Sequence, residues 1–119
     1  MGASMFERYG GFAKVSQIVS AFYDRMLDSP VTSPYFQSVD MRRLIDHQTK
    51  FISTIMGGPA SYSNDMLERV HAHIGVSEAA FDEASSILRE ALEDFGIEDG
   101  DVRYLCEEFA SRKRYIVSR

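Results

Sequence analysis

Apolar residues recur at intervals of three and four positions along most of this chain, the spacing that places them on one side of an α-helix. The first such stretch covers residues 14–27 and ends at Asp28, Ser29 and Pro30. No stretch of useful length alternates apolar and polar residues, and the β-branched residues are scattered among helix formers. The sequence therefore predicts an all-α fold.

Two further apolar stripes lie in the middle of the chain. One begins after Asp40, a good N-terminal cap, and ends at the Gly-Gly-Pro of residues 57–59. The other is short, covers residues 65–74 and is stopped by Gly75. We expect one helix in each stripe.

The last third of the chain contains two more predicted helices. Ser77 caps a long helix, and Gly96 closes it. The last helix is expected to start near Asp101. The basic and apolar residues after it, 112–117, either continue this helix into solvent or lead toward a further domain.

Length and composition limit the classes of protein to consider. A chain of 119 residues with 45% apolar residues suits one compact domain over residues 1–119, with residues 1–4 set aside as a disordered or added start. A net charge of −5 disfavours nucleic acid as a partner. No apolar run reaches the roughly 18 to 20 residues of a membrane span, and no signal peptide is visible. The lone Cys106 fits a reducing, cytoplasmic setting.

Two histidines on the short third helix have different predicted surroundings. His71 lies four residues after Leu67 and one after Val70, on the apolar side of the helix. His73 is about 200° away and should face water. A histidine on an apolar face is more often a hydrogen-bonded core residue than a metal ligand, so the spacing leaves both interpretations open.

Polar side chains also interrupt the apolar stripes of the first two helices. Gln48 lies in the middle of its stripe, and an amide buried without a hydrogen bond costs roughly 1 to 3 kcal/mol. A structural amide bonded to a loop carbonyl and an amide serving a ligand are about equally consistent with this position. Tyr23 projects toward the core side of its own helix, and the two side chains could donate hydrogen bonds to a polar ligand. His47, about 100° from Gln48, faces either solvent or the rim of such a cavity.

Motifs of common catalytic classes are absent from the sequence. We find no GxSxG, P-loop, CxxC or HExxH motif and no carboxylate-rich metal pattern. The acidic residues are mostly spaced along the predicted solvent faces of helices. Hydrolytic and nucleotide-dependent functions are therefore disfavoured.

Six segments together carry a resemblance to a known family. They are residues 6–11 (FERYGG), 22–23 (FY), 35–36 (YF), 44–51 (LIDHQTKF), 57–59 (GGP) and 71–76 (HAHIGV). Their order and spacing resemble group I truncated haemoglobins. The resemblance implies a two-over-two helix sandwich with a very short first helix, with tight turns at Gly10-Gly11 and Gly57-Gly58.

The same resemblance implies a haem b site. His71 matches the proximal iron ligand and Tyr23 the distal tyrosine, while His47 stands where some relatives place a sixth iron ligand. Neutral imidazole is a good ligand for haem iron. The residues expected to line the cofactor are Phe36, Leu44, Gln48, Phe51, Leu67, Val70 and Phe81.

The function that the resemblance implies is binding of diatomic gases, with O₂ first and nitric oxide and carbon monoxide as further ligands. Tyr23 and Gln48 would hold O₂ and serve the conversion of nitric oxide to nitrate, for which an external reductase must supply electrons. A haem-based gas-sensor domain of a larger signalling protein is the alternative. A globin-like interaction module without haem is a third hypothesis, disfavoured because His71, Phe36 and Phe81 are all present.

Overall fold

The computed structural model describes residues 4–59 and 75–117. These residues form helices and connecting turns, with no regular strand in either range, which confirms the predicted all-α class. Their bounds are α1 Met5–Arg8, α2 Gly11–Asp28, a 3-10 helix Ser33–Phe36, α3 Met41–Ile55, α4 Glu78–Asp94, α5 Asp99–Ala110 and α6 Lys113–Ile116. The predicted helix over residues 65–74 lies outside the described residues.

Helices α3 and α4 begin directly after the capping residues predicted for them. The Asp40 carboxylate accepts a hydrogen bond from the Arg43 backbone N–H at 3.3 Å, and the Ser77 hydroxyl accepts one from the Ala80 N–H at 3.1 Å. These side chains satisfy N–H groups that the first turn of a helix leaves without partners. Between α1 and α2 the chain turns at Gly10, whose φ of 106° favours glycine.

Two parts of the sequence prediction, the first residues and the C-terminal ones, need correction. Ser4, which we set aside with the first residues, caps α1 in a reciprocal pair with Glu7. The last long helix starts at Asp99, near Asp101 as predicted. The C-terminal segment, residues 112–117, packs against the core through Tyr115, Ile116 and Val117 instead of projecting into solvent.

The contacts of this C-terminal segment are specific. Ile116 is buried, and Val117 forms an isolated parallel β-bridge with Val76. The segment thus joins the turn that precedes α4. Within the described ranges, no helix is both long enough and apolar enough to cross a membrane.

The core forms where two pairs of helices meet. Helix α2 packs on α3, α4 packs on α5, and α2 also contacts α4. The predicted stripe of α2 faces this junction, with Val15, Ile18 and Val19 almost fully buried. Ala91 and Leu92 of α4 are completely buried on the opposite side. Burial of these side chains is the main term that holds the pairs together.

Candidate functional site

A cavity of about 300 Å³ lies between the helix pairs. Its wall is mostly apolar and comes from α2, α3, α4, the 3-10 helix and the C-terminal segment. Six residues predicted from the sequence line it together, namely Tyr23, Phe36, Leu44, Gln48, Phe51 and Phe81. Clefts of this size with an apolar wall and few polar groups are typical of small-molecule and cofactor sites.

Aromatic rings form much of this wall. The Tyr23 ring meets the Phe22 ring edge-on, with 4.8 Å between centroids, and the Phe36 ring at 5.7 Å. The Phe81 ring stacks on Phe109, with 5.0 Å between centroids. Such pairs stabilise one another beyond their buried area and hold the rings in fixed orientations. Tyr35 and Phe36 of the 3-10 helix both line the cavity.

Gln48 is the polar side chain of α3 that reaches the cavity. It is only 9% exposed, and the structure gives its amide no hydrogen bond to any described residue. Neighbouring buried hydroxyls differ in this respect, because Thr49 donates to the Ile45 carbonyl and Thr32 to the Met26 carbonyl, each at 2.7 Å. Gln48 therefore has both amide hydrogens available to a molecule in the cavity.

Tyr23 and Gln48 come from different helices yet line the same cavity, as the sequence predicted. Tyr23 is 7% exposed and lies on the second helix of the chain, whereas Gln48 lies on the third. The two side chains bring polar groups into a wall that is otherwise nearly all apolar. A small polar ligand would find its hydrogen-bond partners there.

Two predicted groups of site residues are not seen at the cavity. His47 is half-buried and is not among the residues that line it. Its predicted role as a sixth ligand remains a prediction. Leu67, Val70, His71 and His73 lie outside the described residues, so the metal-ligand prediction for His71 is also untested.

The loop between α2 and α3 is attached to α4 by side chains that the sequence analysis missed. The Ser29 hydroxyl donates to the Glu83 carboxylate at 2.8 Å. The Ser77 backbone N–H donates to the Tyr35 hydroxyl at 3.2 Å. These pairs are 54 and 42 positions apart in sequence, so no local pattern could have indicated them. They hold the 3-10 helix, and with it Phe36, at the cavity.

Cations of the C-terminal segment lie near two cavity-lining rings. The Arg112 guanidinium is 5.5 Å from the centroid of Phe51 and also bonds to the Glu108 side chain at 3.2 Å. The Lys113 ammonium is 6.0 Å from the centroid of Phe81. Cation–π contacts at exposed sites contribute about 0.5 to 1 kcal/mol each. They help to keep the segment on the domain.

Clear pKa shifts occur away from the cavity, where α1 meets α5. The Tyr9 hydroxyl donates to Asp101 at 2.6 Å and accepts from the Glu98 backbone N–H at 3.2 Å, while Arg8 lies 3.1 Å from Asp101. The Tyr9 hydroxyl, and after it Arg8, hold the pKa of Asp101 below its ordinary value. Burial, and after it the bond to Asp101, raises the pKa of Tyr9. This junction is a structural contact between the two ends of the chain.

Outside this junction, Cys106 on α5 is the described group with a clearly shifted pKa. Burial raises the pKa of its thiol, although Arg89 acts in the opposite direction. The thiol is therefore protonated at neutral pH, and a thiol is a much weaker nucleophile than a thiolate. This cysteine is not a candidate for nucleophilic catalysis.

Comparisons with known proteins agree with this geometry. A model of the bacterial-like globin family matches residues 4–117. Group 1 truncated hemoglobin GlbN of Mycolicibacterium paratuberculosis (strain ATCC BAA-968 / K-10) is 30% identical over 95 residues, which cover 80% of this chain and 70% of that protein. GlbN of Nostoc sp. (strain MUN 8820) is 22% identical over 117 residues, covering 98% and 99%.

One solved structure shows how far the fold is shared. The crystal structure of the 2/2 hemoglobin from Synechococcus sp. PCC 7002, in the cyanomet state and with covalently attached heme, matches with a TM-score of 0.88. The identity is 21%, and the match covers 98% of this chain and 100% of that one. The likeness confirms the predicted two-over-two arrangement of helices.

Proposed function

This chain belongs to the bacterial-like globin family, and on that premise we propose that it binds haem b as a single domain and, through the haem, molecular oxygen. The proposal rests on one observation above all. Gln48 and Tyr23 line a cavity that is otherwise nearly all apolar, and the Gln48 amide has no partner among the described residues. A bound ligand that accepts hydrogen bonds from this amide would offset the cost of burying it.

The residues present fit a flat, mostly apolar cofactor. The cavity is walled by aromatic and aliphatic side chains from several helices, as cofactor sites usually are. Val39 lines it and is 40% exposed, so that part of the wall borders solvent. On the family resemblance, His71 is the iron ligand that we propose, and its position is outside the described residues.

Haem iron, when bound, supplies the coordination position at which a diatomic gas binds. The chain's own residues determine how long the gas stays. The Gln48 amide and the Tyr23 hydroxyl can donate hydrogen bonds to a polar ligand, and the apolar wall excludes competing water. Hydrogen bonds are electrostatically stronger in such surroundings than in water.

Other ligands and reactions would use the same residues. Nitric oxide and carbon monoxide are small enough for the same cavity, and a conversion of nitric oxide and O₂ to nitrate requires one electron for each turnover. We propose that an external reductase supplies this electron. The reducing cytoplasm inferred from the lone Cys106 is a suitable setting.

An optical titration tests the proposal. Purified apoprotein mixed with haem should give a saturable Soret band at one haem per chain, and the ferrous protein should bind O₂ reversibly. Tyr23→Phe and Gln48→Leu should then raise the O₂ dissociation rate. Absence of a saturable haem complex would contradict haem binding, and unchanged rates in both variants would contradict the distal roles.

A further inference from the structure

Two tyrosines from distant parts of the chain make the same contact with different helices. The Tyr35 hydroxyl accepts the backbone N–H of Ser77, which caps α4, at 3.2 Å. The Tyr9 hydroxyl accepts the backbone N–H of Glu98, which caps α5, also at 3.2 Å. The two hydrogen bonds are chemically alike, so their effects can be compared directly.

Only the first of these bonds lies at the cavity. Tyr35 belongs to the 3-10 helix and lines the cavity, next to Phe36, whose ring packs against Tyr23. On the other side of the bond, Val76 precedes Ser77 and also lines the cavity. The bond therefore joins two parts of the cavity wall that are 42 positions apart in sequence. Tyr9 is not among the lining residues.

The loop that carries Tyr35 is also attached to α4 at its N-terminal end. Ser29 bonds to Glu83 at the start of the loop, and Ser29 is not a lining residue. At the 3-10 helix, the bond from Ser77 to Tyr35 is the hydrogen bond that reaches α4 among the described residues. The 3-10 helix otherwise packs mainly against α2, where the Phe36 ring meets the Tyr23 ring.

We propose that Tyr35 is a positioning residue that holds this wall closed and thereby slows the release of the cofactor. The inference rests on the proposed haem-binding function. Tyr35 is half-buried, and Val39, four residues on, lines the cavity and is exposed, so this part of the wall borders solvent. Opening of the wall here widens the route by which a bound haem leaves and water enters. Loss of one net hydrogen bond should accelerate the opening about fivefold.

Tyr9→Phe is a matched control for Tyr35→Phe. Each variant removes one phenol hydroxyl that accepts the backbone N–H of the residue just before a helix. Tyr9→Phe also removes the hydrogen bond that the hydroxyl donates to Asp101. We therefore expect Tyr9→Phe to lower the global stability at least as much as Tyr35→Phe. Because Tyr9 lies away from the cavity, its variant should leave the rate of haem release unchanged.

Amide hydrogen exchange on the apoprotein tests the bond itself without haem. In Tyr35→Phe the Ser77 amide should exchange several-fold faster than in the wild type, whereas in Tyr9→Phe the Glu98 amide should do so and Ser77 should not. Equal exchange at Ser77 in wild type and Tyr35→Phe would overturn the proposal, since the bond would not protect that amide.

Transfer of haem to excess apomyoglobin tests the consequence. Tyr35→Phe should lose haem about fivefold faster than the wild type, and Tyr9→Phe at the wild-type rate, with global stability of both measured by urea unfolding. Equal haem loss in wild type and Tyr35→Phe would overturn the proposal, as would equal acceleration in both variants. A wild type that takes up no haem would overturn the proposed function, while the Ser77 exchange would still report the bond.

Discussion

Replacing Gln48 with leucine should stabilise the apoprotein and, in the haem-bound form, release oxygen faster. Gln48 is 9% exposed and its amide has no hydrogen bond to a described residue. Leucine fills a similar volume without polar atoms and has nearly the same helix propensity as glutamine. The effects on stability and on ligand retention therefore have opposite signs, whereas a general loosening of the fold would lower both.

The magnitudes follow from the burial of the amide. An unsatisfied buried amide costs about 1 to 3 kcal/mol, and the residual exposure of Gln48 favours the lower end. We expect the free energy of unfolding to rise by about 1 kcal/mol, which corresponds to an increase in Tm of about 3 to 5 °C for a chain of this size. The lost hydrogen bond to the ligand, also about 1 kcal/mol, should raise the O₂ dissociation rate about fivefold.

Ser53→Ala provides the matched control on the same helix. The Ser53 hydroxyl is fully buried and unpaired among the described residues, but Ser53 does not line the cavity. Its replacement should also stabilise the apoprotein, with no change in O₂ release. Urea unfolding of the apoproteins and stopped-flow O₂ dissociation give the two quantities. A Gln48→Leu apoprotein less stable than the wild type would refute the reasoning, because the amide would then have a partner in the protein.

Three further predictions concern the distal residues and the α1–α5 junction. Tyr23→Phe should raise the O₂ dissociation rate several-fold in stopped-flow measurements. In the double variant with Gln48→Leu the two increases should not multiply, since both residues serve one ligand. Multiplicative increases would argue for separate roles. Asp101, whose pKa is lowered by Tyr9 and Arg8, contributes stability that is present above its ordinary pKa and lost as the pH falls through the lowered one. Asp101→Asn should therefore be less stable than the wild type at neutral pH. In unfolding curves the difference should begin to shrink as the pH falls below the ordinary aspartate pKa of about 4 and should vanish only below the lowered pKa; a constant difference at all pH values would count against it. If His47 ligates iron, the ferrous gas-free spectrum should be partly low-spin and become high-spin in His47→Ala; a fully high-spin wild type would exclude that ligation.

The sequence predicted those parts of the fold that depend on neighbouring residues. Asp40 and Ser77 start their helices through bonds to amides three residues on, so a local pattern suffices. The cavity residues of α2 and α3 were predictable because one face of each amphipathic helix must be buried. Ser4 was missed because its partner, Glu7, was not considered as part of a capping pair.

The attachments around the cavity could not be predicted in this way. Tyr35 and Ser77, and likewise Val76 and Val117, are far apart in sequence and meet only when the helix pairs have packed. A tyrosine in a loop carries no sign of which backbone amide it will bind. The C-terminal residues were open to two interpretations because their apolar side chains suit burial and their basic ones suit solvent.

The central claim is that His71 holds haem in this cavity, and the spectra of two histidine variants test it most directly. His71→Ala should lose the Soret band of the purified, haem-supplied protein or bind haem much more weakly, because the iron would have no proximal nitrogen. His73→Ala should keep the wild-type spectrum, since that residue is predicted to face water. If His71→Ala retained the wild-type spectrum, or if His73→Ala lost it instead, the assignment of the iron ligand would be wrong.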